Sequence, residues 1–247
     1  MTATPDQRLS GQRVVVAGGT SGMGLATVRA AAAMGAEVVA AGRRPVAERE
    51  PVPGVRQVTA DVTDEESVRR LFGEVGELDH LLVTASPGRP GAFRGQDLAA
   101  ARSFMDGKFF GSWLCARYAA PHLRAHGSVT FVTGGAVARP PAHGSMITAA
   151  FAALEALTRA LAVELGPLRV NAIRPGYTDS DMWSFLPEAE RADLRRRVAD
   201  AMPVRRMGTP EDIAHAAVFL MTNPQVTGAV LEVTGGETLV NTLERRT

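Results

Sequence analysis

Lysine is almost absent from this chain of 247 residues: Lys108 is the only one among 27 basic side chains. Tyrosine is nearly as scarce, with Tyr118 and Tyr177 alone. Cys115 is the sole cysteine, which excludes an internal disulfide and points to a reducing, cytoplasmic setting. The net charge of +1 gives no case for nucleic acid or an anionic membrane surface as a partner. No uninterrupted apolar run reaches membrane-spanning length, the first ten residues lack a signal-peptide core, and no metal-ligand spacing is found. What remains is an apolar fraction of 45% with 21% charged residues, the composition of a globular chain that buries a large core.

The organising stretch is Val14–Met34. Val14, Val15 and Val16 suit a buried strand. Gly18, Gly22 and Gly24 then punctuate a turn, an Ala-rich helix runs over Leu25–Met34, and Gly35 closes it. Strand, glycine turn and helix together aim backbone N–H groups and a positive helix end at a phosphate, and glycine admits a pyrophosphate where a Cβ would intrude. An ordinary βα turn is the plain alternative; the position at the first βα junction favours a dinucleotide.

Strand-like and helical runs alternate along the chain, which predicts a parallel sheet covered on both faces. The strands are read at Arg13–Ala17, Glu37–Ala41, Arg56–Thr59, His80–Thr84, Val129–Thr133, Arg169–Ile173 and Val230–Val233. Thr63 and Glu66 have capping-box spacing, Asp97–His122 reads as one long helix, and Thr209-Pro210 starts another through Leu220. A further helix covers Ala149–Leu165. Residues 1–247 form a single domain on this reading. Tyr177–Met202 breaks the rhythm, either as an insertion over the site or as a plain surface helix pair.

Five motifs in order resemble the short-chain dehydrogenase/reductase family over nearly the whole chain. They are Ala17–Gly24 (AGGTSGMG), Asp61-Val62, Arg169–Gly176 (RVNAIRPG), Met207–Ala214 (MGTPEDIA) and the late Gly228 with Gly235-Gly236. The resemblance implies a single-domain Rossmann fold, a doubly wound α/β sheet of seven parallel strands. It implies a nicotinamide dinucleotide held by Gly18, Thr20, Ser21, Gly22, Met23 and Gly24. Asp61 and Val62 would flank the adenine, Thr84, Ala85 and Ser86 would end the fourth strand, and Pro175, Gly176 and Thr178 would close the far side. It also implies a homodimer or homotetramer built on paired long helices.

The second strand ends in Arg43-Arg44, where an NAD site usually carries an acidic residue. Guanidinium groups suit a 2′-phosphate, so NADP(H) is expected over NAD; as solvated surface arginines the pair would carry no such meaning.

The family's Asn-Ser-Tyr-Lys set is missing. Anchored on the helix AALEALTRALAVEL, the tyrosine position falls on Ile147 and the lysine position on Phe151. The serine position falls on Gly134 and the asparagine position on Lys108. No register rescues Tyr-x-x-x-Lys: His122 and Asp181 stand four residues after the two tyrosines. Lys108, His143 and Tyr177 are therefore the candidate catalytic groups, an amine, an imidazole and a phenol. Three functions stay open: an NADP(H)-dependent oxidoreductase acting on a small carbonyl, hydroxyl or activated substrate; a non-redox lyase, isomerase or cyclase; and a catalytically silent NADP-binding protein.

Overall fold

The computed structural model describes residues 8–45, 52–86, 91–180 and 183–240. Seven parallel strands form one sheet in the order β3-β2-β1-β4-β5-β6-β7. They are β1 (Arg13–Ala17), β2 (Glu37–Gly42), β3 (Arg56–Thr59), β4 (Leu78–Val83), β5 (Leu123–Val132), β6 (Arg169–Pro175) and β7 (Val230–Val233). The helices are α1 (Gly22–Ala33), α2 (Glu65–Val75), α3 (Leu98–Met105), α4 (Gly111–Ala119), α5 (Ser145–Glu164), α6 (Glu188–Ala201) and α7 (Pro210–Thr222).

The pleat sorts the strand side chains. Val15 and Ala17 face a core shared with Val68, Leu71, Phe72, Cys115 and Leu154. Val14 and Val16 face the opposite core, with Leu25, Val28, Ile213 and Leu220. Burial on both faces is why these strands read as continuous apolar runs. The chain reverses direction across the sheet between β1 and β4, and the crevice beyond the carboxyl ends of those strands is where open α/β sheets take ligands.

The long helix expected over Asp97–His122 is interrupted. Asp97 caps α3 by accepting from Ala100 N–H at 2.7 Å. A π turn over Asp106–Phe110 then precedes α4, and the chain ends in a 3₁₀ turn at Ala120–His122. The Ser112 hydroxyl donates to Lys108 O at 2.7 Å across the widened turn. A π turn carries one residue more than α geometry allows, and such turns gather at functional sites. Nor does Thr63 cap α2: its amide and hydroxyl both donate to Asp61 Oδ1, and Asp64 accepts from Glu66 N–H instead. At α7 the expected start holds, with Thr209 N–H donating to the Asp212 carboxylate at 2.8 Å.

Among the described residues between Tyr177 and Met202, α6 is the α-helix. Leu194 and Val198 pack with Met202, Met207, Tyr177, Trp183 and Leu186 as a small separate cluster. Helix α5 has the length and apolar composition to span a bilayer; here Ala150, Leu154, Glu155 and Thr158 are its buried residues, and Leu154 sits in the core beneath the sheet.

Candidate active site

The glycine turn after β1 is shaped by contacts only glycine permits. Gly18 has φ +94°, and a Cβ there would lie 2.5 Å from Thr84 Oγ1. A Cβ on Gly24 would lie 2.0 Å from Gly18 O. Gly18 N–H donates to Ala41 O at 2.8 Å, and Thr84 Oγ1 donates back to Gly18 O at 3.0 Å. The turn is thereby fixed to the ends of β2 and β4. Ser21 stands extended at the N-cap position of α1 without a side-chain capping bond, and the first turn of α1, which includes Met23, carries no acidic residue. Gly22 (φ +50°) faces open space. A hollow of about 280 Å³ opens between Gly22, Leu25 and Ala26 on one side and Asp179 and Ser180 on the other. Free N–H groups, a positive helix end and a bare approach fit a pyrophosphate.

Thr20 packs on Gly42, where a Cβ would meet its Oγ1 at 2.6 Å. Arg43 and Arg44 follow, both exposed. The Thr63 backbone N–H holds the Asp61 carboxyl below the usual aspartate range, and the Thr63 hydroxyl and the Arg43 cation add to that. Arg43 thus stands at the tip of the β2–β3 edge beside Asp61. Val62 is half-buried against Gly111 of α4. Across the crevice, Ala85 N–H donates to Ala17 O, and Ser86 is exposed beyond it. Pro175 ends β6, Gly176 N–H donates to Val233 O, and the buried Thr178 donates its hydroxyl to Gly176 O at 3.1 Å. Several of the segments expected to hold a dinucleotide therefore lie at the carboxyl ends of the strands.

An aromatic ring occupies the region where the resemblance sets the serine and lysine positions. A Cβ on Gly134 would lie 2.6 Å from Phe151 Cε2 and 3.1 Å from its Cδ2. Phe151 fills the space that a side chain at 134 would need, so the two departures from the family pattern are one packing arrangement. Lys108 Nζ lies 5.4 Å from the centroid of the same ring and donates to Ala85 O at 3.3 Å. Its side chain is fully buried, which pushes the amine down to about 8. A cation over an aromatic face with one carbonyl acceptor recovers part of the lost hydration.

Tyr177 stacks on Trp183 at 6.0 Å between centroids, and the Trp183 indole donates to Thr178 O. Burial pushes the Tyr177 phenol up, and the Glu237 charge adds to it. Trp183, Phe185, Leu186 and Leu194 line an open groove of about 500 Å³ beside this loop. His143 is exposed in the segment before α5. Lys108 and Tyr177 thus stand at the carboxyl ends of the strands, whereas nothing in the geometry draws His143 in.

Two further groups that the sequence analysis gave no role belong to the same region. Arg174 closes both nitrogens on the buried Glu155, at 2.9 and 2.6 Å, and also pairs with Glu232. The Thr133 hydroxyl donates to Glu155 at 3.2 Å, so the pair joins the ends of β5 and β6 to α5. The second group is Glu237, beyond β7. A Cβ on Gly176 would lie 2.5 Å from its Oε2, and one on Gly135 would lie 3.2 Å from each carboxylate oxygen. A carboxylate following a double glycine was its only sequence signal.

Residues 17–238 match the family described as enoyl-(acyl carrier protein) reductase. The chain is 38% identical to a cis-4-hydroxycyclohexanecarboxylate dehydrogenase of Sinomonas cyclohexanicum, over 92% of this chain and 96% of that one. Among solved structures it resembles a small-chain dehydrogenase in complex with NADPH, at 32% identity and a TM-score of 0.79, covering 92% and 99% of the two chains. A short-chain dehydrogenase/reductase family protein is similarly close, at 34% identity and a TM-score of 0.85, covering 94% and 100%. With the parallel seven-stranded sheet, the glycine turn and the RVNAIRPG segment all in place, this chain belongs to the short-chain dehydrogenase/reductase family.

Proposed function

We propose that the chain binds NADP(H) and transfers hydride to or from a small carbonyl, hydroxyl or activated substrate at a centre without the family's Asn-Ser-Tyr-Lys set. The observation that carries this reading is a glycine cradle of the right shape ending beside two exposed arginines, Arg43 and Arg44. A similar chain whose structure is described as a complex with NADPH supports the same choice of nucleotide. When bound, NADP(H) supplies the hydride. Gly18, Thr20, Ser21, Gly22, Met23 and Gly24 would cradle its phosphates, Asp61 and Val62 its adenine, Thr84, Ala85 and Ser86 the middle of the molecule, and Pro175, Gly176 and Thr178 the nicotinamide end.

The chain's own residues set the rate. Ile147 and Phe151 offer neither a proton nor a charge, and general acid catalysis contributes about 10²–10⁴-fold. Simple ketones are therefore slow substrates and activated carbonyls better ones. Lys108, behind the Phe151 ring, would act through its charge. Tyr177 and His143 are the other candidates in the surrounding loops. The groove beside Trp183 and Phe185 would receive the apolar part of a small-molecule substrate. A homodimer or homotetramer through α4 and α5 follows from the family resemblance, and light scattering that finds only monomer at micromolar concentration refutes it.

The packing of Phe151 against Gly134 favours a second reading, a non-redox lyase, isomerase or cyclase, or a silent NADP-binding protein. The deciding experiment follows deuterium from NADPH labelled at nicotinamide C4 into a panel of activated carbonyls by mass spectrometry. Label in the alcohol product supports hydride transfer. NADPH binding without label transfer to any substrate supports the second reading.

A further inference from the structure

Glu237 lies outside the motifs and outside the four positions the family uses. Gly235 and Gly236 both adopt left-handed backbone, φ +63° and +85°, and turn the chain back after β7. The 3₁₀ turn Glu237–Leu239 follows. This reversal sets the Glu237 carboxylate over the carboxyl ends of β5 and β6, between Gly135 and Gly176. Any side chain at 176 would displace it. The Gly135–Val137 turn beneath it is held to the first turn of α5 by the Thr148 hydroxyl, which donates to Ala136 O at 3.2 Å. Ile147, at the tyrosine position, is the neighbour of Thr148. Glu237 and the first turn of α5, which carries Ile147, thus both contact the Gly135–Val137 turn.

The carboxylate is poorly satisfied. Oε2 is buried and has no hydrogen-bond partner. A buried oxygen without a partner beside two glycines is a feature of a group kept for a ligand rather than for the fold. Resting on the oxidoreductase reading above, we propose that the Glu237 carboxyl exchanges a proton with the substrate oxygen, in the role left empty at Ile147. In the reducing direction the carbonyl carbon receives the hydride and its π pair moves to oxygen. The O–H bond of Glu237 breaks as its proton goes to that oxygen. The products are the alcohol and the Glu237 carboxylate, which regains its proton from solvent.

Burial raises the Glu237 carboxyl above the usual glutamate range. The groups facing it are the Tyr177 N–H and the Arg139 cation, which oppose the rise, and Glu232 on β7, which adds to it. Glu232 is itself held by Arg174 and the Thr238 hydroxyl. A raised carboxyl keeps its proton above the ordinary glutamate range, so reduction slows as pH climbs past that range and oxidation speeds up.

The test compares the full chain with Glu237→Gln and Glu237→Asp. Infrared titration without nucleotide reads the proton directly: a carboxylic acid band persists above the ordinary glutamate range in the unmodified chain and is missing from Glu237→Gln. With NADPH and an activated carbonyl, Glu237→Gln lowers turnover by about 100-fold or more and removes the fall in rate with rising pH. Calorimetric affinity for NADPH stays as it was, and Glu237→Asp recovers part of the rate. Absence of the band in the unmodified chain overturns the assignment. So do a turnover and pH profile untouched by Glu237→Gln, and so does a pH limb that survives in Glu237→Gln but vanishes in Tyr177→Phe. A chain that binds no NADPH, or binds it and reduces nothing, overturns the oxidoreductase reading itself and this role with it.

Discussion

Gly134→Ser restores the family's serine on paper but cannot be accommodated alone. The new Cβ would sit 2.6 Å from Phe151 Cε2, 3.1 Å from Cδ2 and 3.4 Å from Cζ. An aromatic ring wedged against a strand end has little room to retreat in a close-packed interior. Overpacking of this kind costs about 1–3 kcal/mol. In a chain of this size each kcal/mol moves Tm by roughly 2–4 °C. Gly134→Ser should therefore lower Tm by about 2–12 °C, and in a Phe151→Ala background the same substitution should be close to neutral. Phe151→Ala itself gives up the packing of a half-buried ring, less than the roughly 3–5 kcal/mol of a fully buried one. The assay is a double-mutant cycle by thermal or urea unfolding with all four chains at one concentration. Equal losses from Gly134→Ser in both backgrounds, or none in either, would show that Phe151 does not fill the vacated space.

The buried Lys108 ammonium makes stability depend on pH. Its amine sits at about 8 instead of 10.5, a penalty on the order of 3 kcal/mol. The full penalty is present below pH 8. Between pH 8 and 10.5 the unfolded lysine holds a proton the folded one has released, so stability rises with pH. Lys108→Met should flatten that rise in urea unfolding, raise Tm at pH 7 and lower turnover; a slope unchanged by the substitution contradicts the burial. Arg174→Ala should cost about 3–5 kcal/mol, because it strands the buried Glu155 carboxylate; a loss under about 1 kcal/mol by urea unfolding would show the pair to be dispensable. Rebuilding the family centre takes four changes rather than three. Phe151→Lys with Lys108 retained packs two ammonium groups together, so Gly134→Ser, Ile147→Tyr and Phe151→Lys should gain activity on a simple ketone only once Lys108→Asn is added. Equal ketone reductase rates with and without that last change would refute this.

Much of the fold was legible because its signals are local. Valine runs, glycine turns and the Thr209-Pro210 start each act within a few residues, and the strand positions follow from them to within one or two residues at most ends. The start of β5 at Leu123 and the π turn at Asp106–Phe110 were not legible, since both arise from how the chain packs over the sheet. The absence of Tyr-x-x-x-Lys was legible from composition alone, because one lysine and two tyrosines leave no choice of register. What filled the vacancy was not. Phe151 meets Gly134 across the gap between α5 and β5, Arg174 meets Glu155 between β6 and α5, and Glu237 reaches Gly176 only because two left-handed glycines fold it back. Such pairings lie far apart in the chain and carry no spacing rule.

The central claim is that an NADP-selective cradle has survived the loss of the usual reaction centre. Calorimetric titration of the unmodified chain with NADPH and with NADH at one salt concentration tests it most directly. A charge-assisted hydrogen bond is worth about 1.5–3 kcal/mol, so NADPH should bind roughly 10–100 times more tightly. Arg43→Ala with Arg44→Ala should erase that ratio while leaving NADH binding nearly unchanged. Equal affinities in the unmodified chain, or tighter binding of NADH, would contradict the account.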